Sequence, residues 1–75
     1  MENKNMQDTR WFGIVSEWND SKGFGFINCN GEDIYCHYSA IICDGFKTLT
    51  MGEWVSFKLE NKTTGLQAFE IMKGK

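Results

Sequence analysis

Phe24 and Phe26 stand two residues apart on one side of Asn30-Gly31, and Tyr35 and His37 stand two apart on the other. Rings at that spacing suit one kind of chemistry: they offer flat faces on which another flat group can stack. Lys22 adds an ammonium beside the first pair, and Gly23 and Gly25 lack side chains that would obstruct a planar ligand. A planar group that stacks on rings and tolerates a nearby cation is a nucleobase of a single strand.

For the four rings to act together, a hairpin must put them on one face. Asn30-Gly31 supplies the left-handed backbone that a two-residue turn requires, and alternating runs flank it. Side chains alternate across a strand, so Phe24 and Phe26 oppose Gly25 and Ile27, while Tyr35 and His37 oppose Ile34 and Cys36. The register that buries Ile27, Ile34 and Cys36 therefore turns all four rings outward. Contiguous exposed ring surface marks a binding site. A β-sandwich covering both faces would need more apolar residues than this chain has elsewhere.

The remaining segments supply the walls. Residues 1–10 are polar and aperiodic, which predicts a flexible tail, and residues 11–75 form the domain. Trp11 to Asn19 reads as a first strand, and Asn19-Asp20-Ser21 as a turn leading to Lys22, which begins the second. Ser39-Ala40-Ile41 fits one helical turn, and Asp44-Gly45 a bend that presents Phe46 and Lys47. Glu53 to Glu60 alternates cleanly, with Val55, Phe57 and Leu59 on one face and Trp54, Ser56 and Lys58 on the other. Leu66 to Lys73 makes a fifth strand, with Phe69 and Ile71 expected in the core and the surface as the alternative for Phe69. Five short strands predict an all-β fold, a small five-stranded antiparallel barrel that closes its own edges.

Composition narrows the function. The 75 residues carry a net charge of −2 and 15% aromatic residues. That balance argues against duplex DNA, where backbone neutralisation dominates affinity. Three cysteines cannot pair completely, and no apolar run resembles a signal peptide or spans a bilayer, so a reduced, cytoplasmic setting without membrane contact is expected. Cys29, Cys36, His37 and Cys43 do not have the close spacing of a structural zinc site, and Cys36 and His37 point to opposite faces. Cys36 reads as core and Cys29 as a loop-end thiol. No metal, no cofactor and no enzymatic activity are expected, because His37 is the only histidine and no nucleophile–base set is recognisable.

With these residues assembled, the chain resembles a bacterial-type cold-shock domain, an OB-fold barrel. K-G-F-G-F-I at Lys22 to Ile27 is similar to the family's first ribonucleoprotein motif, and I-Y-C-H-Y at Ile34 to Tyr38 to its second. D-G-F-K-T-L at Asp44 to Leu49, Gly52 to Phe57 and Gly65-Leu66-Gln67-Ala68 keep the family's spacing. The short connection between Ile41 and Gly45 resembles bacterial members; the animal Y-box relatives carry a longer loop. The resemblance runs from about Gly13 to Ile71.

The resemblance implies a monomeric protein that binds single-stranded RNA and DNA, preferring pyrimidine-rich stretches. It further implies RNA chaperone activity or regulation of transcription and translation. Phe24, Phe26, Tyr35, His37, Tyr38 and Phe46 would stack on bases, Lys22 would sit near phosphate, and Asp33 and Gln67 would hydrogen-bond base edges. Where the family has Lys-Trp-Phe-Asn, this chain has Ser16-Glu17-Trp18-Asn19, so Glu17 replaces a stacking tryptophan. Trp18 is one residue along, hence toward the other face. Trp18 and Trp11 are the candidate substitutes for the lost platform. Leu66 stands where a proline is usual. The alternative function is a protein-interaction module whose aromatic face docks a peptide.

Overall fold

In the computed structural model, which describes residues 9–74, Asn30 and Gly31 take φ angles of 54° and 86°. Positive φ at both central residues gives a tight turn whose twist matches that of the flanking strands. It joins β2 (Phe24–Cys29) to β3 (Glu32–His37). Phe24 pairs with His37, Phe26 with Tyr35 and Ile27 with Ile34, and Ile27, Ile34 and Cys36 are buried.

Three longer strands complete the wall: β1 (Trp11–Asn19), β4 (Trp54–Lys62) and β5 (Gly65–Lys73). They close into a barrel in the order β1-β2-β3-β5-β4. The pairings are antiparallel except for β3 with β5, which meet in parallel where Tyr35 lies beside Gln67. A single 3-10 turn at Tyr38–Ala40 follows β3. Ile41 then bridges to Ile71, and its neighbour's N–H donates to the Ile71 carbonyl at 2.7 Å. Closure removes the exposed edges that a five-stranded sheet would otherwise offer to other chains.

The barrel interior holds Val55, Phe57 and Leu59 of β4, as their alternation predicts, together with Val15, Ile41, Leu49 and Ile71. Each large apolar side chain fully buried there contributes about 1.5–3 kcal/mol. Two expectations fail on β5 and β2. Glu70 takes φ 49° and the β4–β5 register shifts between Ser56 and Lys58, so β5 carries an extra residue. That bulge moves Phe69 to the half-buried wall, and Ala68 fills the core beside Ile71. Cys29, expected to be a loop-end thiol, ends β2 inside the core.

Residues 1–8 of the expected tail lie outside the described residues. Arg10, assigned to that tail, is docked on the barrel. Its guanidinium donates to the Glu70 carbonyl at 2.6 Å and to Ser56 Oγ at 3.1 Å, and it pairs with the Glu70 carboxylate at 3.6 Å. On this same wall β1, β4 and β5 turn Phe12, Ile14, Trp54 and Met72 toward solvent.

Candidate functional site

The opposite wall carries the rings. Phe24, Phe26, Tyr35 and His37 are all half-buried on the outer face of β2 and β3, fixed there by the alternation that sends their neighbours into the core. Phe24 and Tyr35 are offset-stacked with centroids 5.9 Å apart, and Phe26 meets Tyr35 edge-on at 6.1 Å. The set is a preformed surface, so a stacking ligand would order few side chains on binding. His37 is oriented by the turn that follows it. Its Nδ1 accepts the Ser39 backbone N–H at 3.3 Å and lies 2.9 Å from the Ser39 hydroxyl. In the neutral ring the proton is thereby assigned to Nε2.

Tyr38 continues the row, its ring 4.6 Å from that of His37. Its seat is Gly23, which has φ +74° and donates space: a β-carbon there would come within 2.5 Å of the Tyr38 ring. Gly25 lets β1 approach closely: a β-carbon there would collide with the Glu17 backbone carbonyl and then with Trp18. Gly23 therefore accommodates the Tyr38 ring and Gly25 the neighbouring strand; both were expected to clear the way for a ligand. Lys22 sits in the turn before β2 (residues 20–23), not in the strand as expected.

Phe46 is the most exposed ring, at 81%. It lines a hollow of about 200 Å³ with Trp18, Tyr38, Lys22 and Lys47. Asp20 ties the two sides of this hollow together. It accepts from Thr48 Oγ1 at 2.7 Å and from Trp18 Nε1 at 3.0 Å. Those bonds, Thr48's first, hold its carboxyl below the usual carboxylate range. Lys47 was expected beside Phe46 on the bend at Asp44-Gly45, whereas Asp20 was read only as a turn residue. The signal for Asp20 lay only in the fold, which brings the loop after β3 against the turn after β1.

Charge is distributed unevenly over the molecule. Among the described residues Arg10, Lys58 and Lys62 are in ion pairs with Glu70 or Glu60, whereas Lys22 and Lys47 are in none and both border the rings. Two ammonium groups beside the rings are thus in no ion pair among the described residues.

The other candidates separate. Gln67 lies beside Tyr35 and lines a second hollow of about 470 Å³ with Phe26, Tyr35, Thr64 and Leu66. Asp33 borders the rings through Asn28 and Ser16, accepting from Asn28 Nδ2 and Ser16 Oγ, each at 3.2 Å. Trp18 sits at the barrel end beside Tyr38 and Phe46, off the β2–β3 face, because a bulge between Val15 and Glu17 precedes it. Trp11 is not brought to the site. It pairs with Phe57 of β4 and packs against the core. Glu17 does stand on the ring face, directly across from Phe26.

Residues 11–73 match the family model of the 'Cold-shock' DNA-binding domain. The chain is 52% identical over 61 residues to a cold shock-like protein of Stigmatella aurantiaca, an alignment covering 79% of this chain and 90% of that one. It is 48% identical over 62 residues to a cold shock protein of Bacillus subtilis, covering 81% and 94%. Among solved structures it resembles the drosophila Unr CSD456 chain, with a TM-score of 0.74 and 20% identity. That match covers 89% of this chain and 27% of the other, and it shows a shared fold.

Proposed function

This chain belongs to the cold-shock domain family, and from that premise we propose that it binds single-stranded RNA and DNA by stacking bases on one barrel wall. The observation that carries this reading is the preformed row of Phe24, Phe26, Tyr35 and His37, extended by Tyr38 and Phe46 and bordered by Lys22 and Lys47. Stacking is worth about 1–3 kcal/mol per base and tolerates sequence, so a strand held this way is bound without long-range readout. Asp33 and Gln67 border the rings and add hydrogen bonds to base edges. Binding that competes with base pairing melts weak RNA structure, the activity of an RNA chaperone, and it lets one cytoplasmic protein act on many transcripts. Anisotropy of a labelled oligothymidine, against a duplex of equal length, tests the reading: the single strand should bind far more tightly.

A second reading, a protein-interaction module, is favoured by a different wall. Phe12 and Met72 flank Ser56 in one row, and Ile14 pairs with Trp54 in the next, all four exposed. Exposed apolar surface of this kind marks contact with another macromolecule. Sedimentation over a range of protein concentrations, with Phe12→Ser as the comparison, tests whether this wall self-associates.

A further inference from the structure

Glu17 introduces on the ring face a group with the opposite preferences to its surroundings. It is exposed, lies across from Phe26, and enters no ion pair among the described residues. Two other carboxylates beside the rings are engaged: Asp33 by Ser16 and Asn28, Asp20 by Trp18 and Thr48. Glu17 also lines a hollow of about 220 Å³ with Trp18, Asn19, Phe24, Gly25 and Phe26. Facing residues of neighbouring strands have Cβ atoms about 4.5–5.5 Å apart. A base stacked on Phe26 therefore has its edge beside the Glu17 carboxylate.

A carboxylate only accepts hydrogen bonds. Unpaired bases of a single strand present their Watson–Crick edges to the protein. Thymine and uracil offer one N–H there, flanked by two carbonyl oxygens that repel a carboxylate. Cytosine and adenine each offer an amino group beside an acceptor nitrogen. Guanine alone offers two adjacent donors, N1–H and the N2 amino group, spaced to meet both carboxylate oxygens, and paired contacts of this kind are the strong and selective ones. We propose that Glu17 makes the hollow between β1 and β2 a guanine-reading subsite within the single-strand platform. This rests on the stacking function proposed above.

The test is a set of oligothymidines in which one thymine at a time is replaced by guanine or by hypoxanthine, which keeps N1–H and the ring but lacks the amino group. At one position guanine should raise affinity about fivefold or more over thymine, and hypoxanthine should lose most of that gain. In Glu17→Gln the guanine preference should fall below about twofold, while oligothymidine binding rises because a charge facing phosphate is gone. Since Glu17 is exposed, unchanged thermal melting will show that the variant is folded. Oligothymidine binding with no gain from guanine at any position would overturn this inference alone. A preference that survives Glu17→Gln would do the same. Failure of every oligonucleotide to bind would overturn the platform itself.

Discussion

The ring of Tyr38 occupies the space that a side chain at Gly23 would fill, and the Tyr38 N–H donates to the Gly23 carbonyl at 2.9 Å. Turn and ring are one unit: the left-handed glycine before β2 seats the aromatic residue after β3. Gly23→Ala should therefore do two things. It should cost on the order of 1 kcal/mol or more of stability through the positive φ, and it should displace Tyr38. Thermal melts and oligothymidine titration would register both, and unaltered affinity in the variant would show that Tyr38 does not touch the strand.

Removing platform rings separates binding from folding. Phe24→Ala, Phe26→Ala and His37→Ala should each weaken single-strand binding by about 1–3 kcal/mol and leave the fold intact. Ile27→Ala and Val55→Ala, both fully buried, should instead cost roughly 2–5 kcal/mol of stability. Chemical denaturation and binding isotherms on the five variants would show whether the two classes separate this way.

Much of this arrangement was legible in the chain itself. Asn30-Gly31 set the hairpin, and period-two alternation then assigned Ile27, Ile34 and Cys36 to the core and the four rings to solvent. Alternation misleads where a bulge intervenes. Phe69 shares parity with Ile71 on paper, and the extra residue at Glu70 breaks it. Gly23, Asp20 and Arg10 were out of reach for another reason. Their roles depend on Tyr38, Thr48 and Glu70, residues remote in sequence that only the closed barrel brings to them.

Salt should affect affinity only mildly. Contacts from Lys22, Lys47 and one further lysine would neutralise two or three phosphates. At about −0.7 per contact on single strands, the log–log slope should be roughly −1.5 to −2. A slope near about −5 would demand a basic surface, and three of the described cations are already held by carboxylates.

Glu17 also sets how far affinity can be raised. Glu17→Trp puts a ring across from Phe26 and removes a charge, so oligothymidine should bind about 5- to 150-fold more tightly. Glu17→Gln removes only the charge, and its smaller gain should vanish at high salt while most of the tryptophan gain persists. No gain from tryptophan would mean that another ring already serves that base, with Trp18 the nearest candidate.

Burial pushes the Cys36 thiol up to about 12, against a weaker downward pull from a backbone hydrogen bond with Gly25. A folded-state pKa raised in this way contributes stability that is complete below the unfolded value of 9.0 and lost as pH rises toward about 12. Wild type should thus lose up to about 1.4 kcal/mol per pH unit more than Cys36→Val in that window. Urea midpoints measured across it would reveal the difference, and parallel curves would contradict it.

If one wall of this barrel stacks the bases of a single strand, a bound strand lies beside Trp18, and intrinsic tryptophan fluorescence reports that contact. Trp18 borders the hollow formed with Tyr38, Phe46, Lys22 and Lys47, while Trp11 and Trp54 belong to the β1–β4 side of the barrel. Titrating a short oligothymidine should change the emission saturably, Trp18→Phe should remove most of that change, and a duplex of the same length should produce little. An unchanged emission with bound oligothymidine, or equal binding of duplex and single strand, would contradict the account.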